Sequence, residues 1–361
     1  MRRTETITGE KTMELDNYLV KLVGEDAAEV VLVTDSELDI NTSSVTVQNI
    51  TFADFGLLGS VKSLARDKAE PIALAPHCKE PRGVHIQIKE SLKEPLHLVF
   101  ETNEEFGGYV FLEVADHVEA TIIEHHTYCN CACCPTGNEI PVTVEGVFGQ
   151  GSKISYNAFD VSHLNLTINR SFETKRDAEV NYAAGMFGTD CKSDTVFHVR
   201  ETGADIASKT MMFVKDEATQ IHRIRINHYA DHTKSYMRNH GVVAGSGHGE
   251  FENVGFIEQG ATQADAQQES RIMTLDEAAK AFVHPILLID EYDVVAGHAG
   301  SVGRASDEAL YYLQSRGLTK REAQLLITEG FLRPVVEDIT DAFTKQRIEK
   351  EISTNVGYNQ V

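Results

Sequence analysis

The stretch TQIHRIRINH, residues 219–228, sets Arg223 and Arg225 alternately with Ile224 and Ile226. A period of two marks a β-strand with one solvated face and one buried face. The same grammar runs outward in both directions. Upstream, GVHIQIKE alternates Val84, Ile86 and Ile88 with His85, Gln87 and Lys89. It is followed by LHLVFET, GGYVFLEV, EATIIEHH, IPVTVEGVF, KISYNAFDV, LNLTINRSFE, AEVNYAAGMF, DTVFHVRE and SKTMMFV. Downstream come KSYMRNHGVV and GEFENVGFIE. Turn signals such as GQGS, TGAD, KDEA and EQGA separate the strands. No proline falls between Pro141 and Pro285, which suits an uninterrupted hydrogen-bonded ladder.

Two all-β architectures fit this pattern. An antiparallel sandwich uses about seven to nine strands. A β-solenoid stacks short strands coil upon coil and needs many of them, which favours it here although no strict repeat is visible. His222 and His228 share parity with Ile224 and Ile226, so both read as packed interior or edge positions, while His240 and His248 also fall on strands or their edges.

The flanks follow other rules. In residues 1–82, AAEVVLVTD reads as a strand and TFADFGLLGSVKSLARDK as an amphipathic helix capped by Thr51, a small α/β segment that Pro71, Pro76 and Pro81 then break. Residues 83–304 form the β core. After Arg304 the period returns to 3.6, and residues 305–361 read as three capped helices. Ser306 caps DEALYYLQSR, and Gly317 takes the position just past its end. Thr319 and Glu322 make a capping box for KREAQLLITE, which Gly330 is expected to end. Pro334 is expected to open the third helix, VVEDITDAFTKQRIEKEI, with a disordered tail from about Ser353.

The chain has 361 residues and a formal charge of −22. So acidic a protein is unsuited to nucleic acid or an anionic membrane surface, both of which need clustered Lys and Arg. The start, MRRTETITGEKTMELDN, lacks the apolar run of a signal peptide, and no stretch approaches a membrane span. These features predict a cytoplasmic protein, where thiols stay reduced. GVVAGSGHGE has glycines but no Lys-Ser/Thr after them, so it is not a phosphate-binding loop.

Four of the six cysteines sit in EHHTYCNCACCPTGNE, residues 124–139. EATIIEHH reads as a strand and PTGN as a turn, which puts the cysteines on a connection. If extended, Cys129, Cys131 and Cys133 form a comb with sulfurs about 6–7 Å apart. A tetrahedral zinc with Zn–S near about 2.3 Å needs them much closer. The adjacent Cys133 and Cys134 cannot easily share one ion. Cys129, Cys131, Cys133 and His126 are therefore secondary candidates for a metal, behind the reading of a thiol-rich loop.

The run HPILLIDEYDVVAGHAGSVGRASDEALYYLQSRGLTKREAQLLITEGFLRPVV, residues 284–336, resembles the SufB/SufD family of the SUF iron–sulfur cluster assembly system. EQGATQADAQQESRIMTLDEAA and GVHIQIKESLKEPLHLVF are similar to the last and first solenoid turns of that family. The resemblance implies a right-handed parallel β-helix with helical ends, and no enzymatic activity of the subunit itself. It implies pairing with a SufB-like scaffold subunit through the ends of the two helices, or with a second copy when alone. It also implies that a SufC-like ABC-type ATPase docks on the C-terminal helices, where Leu326, Ile327, Phe331 and Leu332 offer apolar area. The GHAGSVG form and the short N-terminal segment look more like the SufD side of the family than the SufB side.

His298, in AGHAGSVG just past the apolar PILLI, matches the family's interface histidine. The resemblance implies a ligand for iron or a cluster there, and neutral imidazole suits iron. A histidine that only bonds a turn is the competing reading. Some family members carry a cysteine where this chain has Ala296, which argues against a thiolate iron ligand at that point. No cofactor is expected to stay bound; an iron–sulfur cluster is expected only transiently, at the partner interface. Three alternatives stand beside this reading: a SufB-like paralogue that carries the cluster, a stand-alone metal protein using Cys129–Cys134, and a β-helix carbohydrate enzyme. The last would need convergent Asp, Arg or Lys on one face, and an export signal.

Overall fold

The computed structural model describes residues 19–22, 40–41, 45–51, 82–93, 95–102, 108–128, 140–160, 165–187, 190–337, 339 and 342–355. The chain begins there with β1 (Leu19–Leu22), β2 (Ile40–Asn41) and β3 (Val45–Thr51). The core follows as β4 (Arg82–Ile88), β5 (Leu96–Thr102), β6 (Gly108–Val114), β7 (Glu119–Tyr128), β8 (Ile140–Phe148), β9 (Lys153–Asp160), β10 (Leu166–Thr174) and β11 (Glu179–Phe187). It continues as β12 (Cys191–Val199), β13 (Asp205–Val214), β14 (Thr219–His228), β15 (Lys234–Val243), β16 (His248–Ile257), β17 (Asp265–Thr274), β18 (Lys280–Ile289) and β19 (Val295–Arg304).

Consecutive strands lie in different sheets. The odd strands from β5 to β19 form one sheet and the even strands from β4 to β18 the other, all pairing in parallel. That is a two-sheet parallel β-solenoid, and the parallel pairing removes the sandwich alternative. Antiparallel pairing is confined to the start, where β1 lies on β5 and β2–β3 on β4. Later coils take about 26 to 32 residues each, within the range of repeat architectures. The varying coil length explains why no strict repeat shows in the sequence.

The corners explain the turn signals. His117, Gly151, Asp177, Gly203, His232 and Gln263 all adopt positive φ and stack through backbone bonds such as Asp177 N–H to Thr202 O at 3.0 Å. Glycine reaches this left-handed region freely, and Asp and His tolerate it better than bulkier residues. Pro141 and Pro285 also find places a proline accepts. Pairing of β8 with β6 starts only at Val142, and Pro285 lies in the terminal strand β18.

Inward residues fill the space between the sheets. Phe172 is stacked against Phe148 at 5.3 Å and tilted against Phe197 at 5.4 Å, with Tyr156 and Tyr182 facing them from the other sheet. Ile224 and Ile226 are buried while Arg223 and Arg225 are exposed, and His222 and His228 lie inside as their parity requires.

Three helices close the described chain: α1 (Asp307–Ser315), α2 (Lys320–Val336) and α3 (Ala342–Asn355). Ser306 caps α1 by accepting from Ala309 N–H, Gly317 follows its end with φ +96°, and the Thr319–Glu322 capping box is complete. Leu332, Val335 and Val336 pack with Phe187, Met211, Phe213 and Val242 on the outer face of the odd-strand sheet. His240 Nδ1–H donates to Phe331 O at 2.7 Å and fastens α2 there. This packing corrects two expectations. α2 runs through Gly330, and Pro334 lies in its last turns, because burial of Leu332, Val335 and Val336 outweighs the cost of a glycine and a proline in the helix. α3 likewise continues past Ser353 to Asn355. Thr51 ends β3; the helix it was expected to cap, and the AAEVVLVTD strand, lie outside the described residues. Among the described residues no helix is long and apolar enough to cross a membrane.

Candidate functional site

Two places along the solenoid concentrate polar chemistry. The first is sealed inside it. Glu124 on β7, Arg170 on β10, Tyr156 on β9 and Tyr182 on β11 are all buried. Arg170 grips the Glu124 carboxylate with Nε at 3.0 Å and Nη2 at 2.7 Å. His126 Nε2–H donates to the same carboxylate at 2.7 Å, and the Tyr156 hydroxyl donates to it in a short bond. Arg170 Nη1 reaches the Tyr182 hydroxyl at 3.1 Å. Burial alone would raise the Glu124 pKa, but Arg170 and His126 hold it well below the usual carboxylate range. Burial and the adjacent carboxylate push the Tyr156 phenol well up. His126 is thus a member of an interior ion network, with its Nε2 engaged by Glu124.

Sequence reasoning missed Glu124 and Arg170. The signal was present: Arg170 stands at the same parity as Ile168 and Phe172, and an arginine on an inward position requires a buried partner. His222 and His228 are also sealed inside, and burial pushes their pKa values down to about 3 and about 4. His228 is held by Thr233 and Ser235 hydroxyls, each at 2.8 Å.

The second place is the open end. β18 and β19 are the last strands of their sheets, each paired on one side only among the described residues. Val283, Pro285, Leu287 and Ile289 continue the inward columns of Phe251, Asn253, Gly255 and Ile257. Among the described residues no strand stacks over them. Phe282, Leu288, Val295 and Val302 are exposed at 44%, 50%, 62% and 48%. An unpaired strand edge beside exposed apolar side chains is a template for another chain.

His298 lies within β19, not in a turn after the last strand. Its register places it in the inward column Tyr156, Tyr182, Ser208, Met237, Gln268, His298. The first five of these are buried and His298 is exposed, because it belongs to the last coil. The strand was missed because AGHAGSVG is rich in small residues, which are poor strand formers by composition and hold their place by pairing with β17.

Cys129, Cys131, Cys133 and Cys134 lie outside the described residues. On α2, Leu326 is 49% exposed, whereas Ile327 and Phe331 are partly buried against the sheet and Leu332 is fully buried. Leu332 therefore anchors the helix and offers no area to a partner. Tyr311 and Tyr312 on α1 are also exposed.

Residues 101–331 match the family model described as the SufBD core domain of SUF-system FeS cluster assembly. The chain belongs to the SufBD family. It is 33% identical over 253 residues to the iron–sulfur cluster assembly protein SufD of Bacillus subtilis, covering 69% of this chain and 57% of that protein. It is 25% identical over 275 residues to SufD of Escherichia coli, covering 73% of this chain and 64% of the relative. A SufBD family protein of Mycobacterium tuberculosis is 26% identical over 130 residues, 36% of this chain and 15% of the relative. The chain thus spans about three fifths of the length of the two SufD proteins. The SufBD family resemblance read from HPILLIDEYDVVAGHAGSVG and its neighbours agrees with these matches.

Proposed function

We propose that this chain is the SufD-like subunit of an iron–sulfur cluster assembly scaffold, with no catalytic role of its own. In this reading it pairs through β18 and β19 with a SufB-like subunit and carries a SufC-like ATPase on α1 and α2. The observation that carries it is the unfinished solenoid end. Two strand edges and a row of exposed apolar residues there call for a further coil, which a second β-solenoid of the same family supplies in matching geometry. Alone, the same end suits a second copy of this chain.

His298 stands at that end and would serve cluster assembly or iron acquisition as an imidazole ligand. Among the described residues no three His, Cys, Asp or Glu side chains are grouped to hold a metal ion. A cluster or iron bound at His298 would therefore draw its other ligands from the partner, and would rest there only while the complex assembles it. The work is cytoplasmic in this reading, where the SUF substrates and reduced thiols are found together.

The test is co-purification with SufB-like and SufC-like chains, read by size-exclusion chromatography with light scattering. Replacing Leu288 and Val302 by Glu should abolish pairing with the SufB-like chain. Replacing Leu326 by Asp should release the ATPase and leave that pairing intact. A strictly monomeric mass at micromolar concentration, both alone and mixed with the SufB-like chain, sinks the reading.

A further inference from the structure

Gln268 lies on β17 directly beneath His298 in the stacked column and is 4% exposed. Its Nε2 donates to the Ile286 carbonyl on β18 at 3.1 Å. A carbonyl only accepts, so this bond fixes the nitrogen end of the amide and turns Oε1 the other way. Oε1 is buried and has no hydrogen-bond partner. The side-chain amides of Asn239 and Asn253 are engaged elsewhere. Asn239 Nδ2 donates to Asn253 Oδ1 at 2.9 Å and to Ser270 Oγ at 3.1 Å, and Asn253 Nδ2 donates to the same Ser270 oxygen. Gly255 clears the space for the amide: a Cβ there would stand 2.7 Å from Gln268 Nε2 and 3.0 Å from Leu287 Cδ2.

The imidazole one coil above, on the neighbouring strand, can supply the missing donor. Neighbouring parallel strands lie about 4.8 Å apart, so rotation about the His298 side-chain bonds brings a ring N–H within reach. His298 is exposed and has that freedom. We propose that Gln268 is a positioning residue for His298: its Oε1 accepts the N–H of one ring nitrogen and leaves the other nitrogen's lone pair facing out of the solenoid end. Histidines that bind metals commonly have their second nitrogen held in this way, which fixes tautomer and ring orientation together. The proposal rests on the reading of His298 as a ligand for what the complex assembles.

The experiment uses the full chain labelled with 15N-histidine, at pH 8.5, where an ordinary imidazole is neutral. The His298 ring nitrogens are identified by their loss in His298→Ala. The expected wild-type result is one protonated and one unprotonated nitrogen with no averaging. In Gln268→Met, which keeps length and volume but removes the acceptor, the two signals should move toward each other as tautomers exchange. A merely structural Gln268, tying β18 to β17, would lower the melting temperature without moving these signals. An averaged pattern in the wild type, or an unchanged pattern in a folded Gln268→Met, overturns the proposal. If Gln268→Met does not fold, Gln268→Leu is read in the same way, and the wild-type pattern alone still decides against the proposal when it is averaged. Iron retention by the complex is measured separately in His298→Ala. Unchanged retention beside a locked tautomer removes the ligand reading and leaves the positioning role standing.

Discussion

Tyr182 and His298 occupy the same inward column of the same sheet, yet one is sealed in the solenoid and the other meets solvent. Around Tyr182 the next coil is present, and Glu124, Arg170 and Tyr156 complete a network in which the buried charge is balanced. Around His298 no further coil follows among the described residues. In a solenoid an inward position is buried only because a neighbour covers it. The same column thus supports the fold in mid-chain and offers chemistry at its end, and position along the axis decides which.

The largest expected effect tests the sealed half of that contrast. Arg170→Leu leaves the Glu124 carboxylate buried with only His126 and Tyr156 to answer it. Removing one partner of a buried pair costs about 3–5 kcal/mol, so the variant should unfold at much lower denaturant than the wild type. Glu124→Gln with Arg170→Met removes both charges and should recover much of the loss. If the single and double variants unfold together, the pair is not what the interior depends on.

The helices give the same contrast between covered and uncovered positions. Leu332→Ala opens a cavity under α2 and should cost about 2–5 kcal/mol, read as early melting of the C-terminal helices. Leu326→Ala, six residues earlier and half exposed, should change stability by less than about 0.5 kcal/mol while weakening the ATPase docking proposed for α2. Equal stability losses would mean that α2 has no free face.

What was legible in the sequence follows the same division. Strands with a solvated face announced themselves by period two, as in TQIHRIRINH, and helix starts by local caps such as Ser306 and Thr319 with Glu322. These signals are local and survive any tertiary context. β19 was not legible, because AGHAGSVG is extended by its pairing with β17 and not by its own composition. Gly330 and Pro334 read as breakers, and packing on Phe213 and Val242 overrode them. The Glu124–Arg170 pair spans 46 residues of chain, so only a coil register brings it together. His298 was found through its motif; its column and the amide beneath it came from the register.

A moderate effect should appear with pH. His222 and His228 have folded pKa values near 3 and 4 against 6.5 when unfolded, because burial disfavours their charged forms. Above 6.5 both are neutral in either state and cost nothing. As pH falls below 6.5 the unfolded chain takes up protons that the folded chain refuses until about 4 and 3, so stability falls through that window. Between pH 7.5 and 5.5 each histidine should remove about 1 kcal/mol. Glu124 works lower down: its stabilisation is full above the ordinary carboxylate range and is lost progressively as pH falls from that range to its depressed value. The denaturant midpoint at the two pH values checks this, and His222→Gln with His228→Gln should flatten the difference.

The smallest effect on stability belongs to His298→Ala, and it separates the two halves of the column most sharply. His298 is exposed, and β19 is held by backbone pairing to β17. Such a substitution should shift unfolding by less than about 0.5 kcal/mol. Assembly should also survive, since one imidazole adds little to an interface anchored by Leu288 and Val302. Cluster maturation should nonetheless fall, because the proposed reading gives the imidazole lone pair to the iron or cluster. Unfolding, chromatography of the assembled complex and a cluster-dependent reporter read the three quantities on one preparation. A variant that matures clusters at the wild-type rate would leave His298 as an exposed residue of an unfinished column, and the chemistry at that end would then lie entirely on the partner.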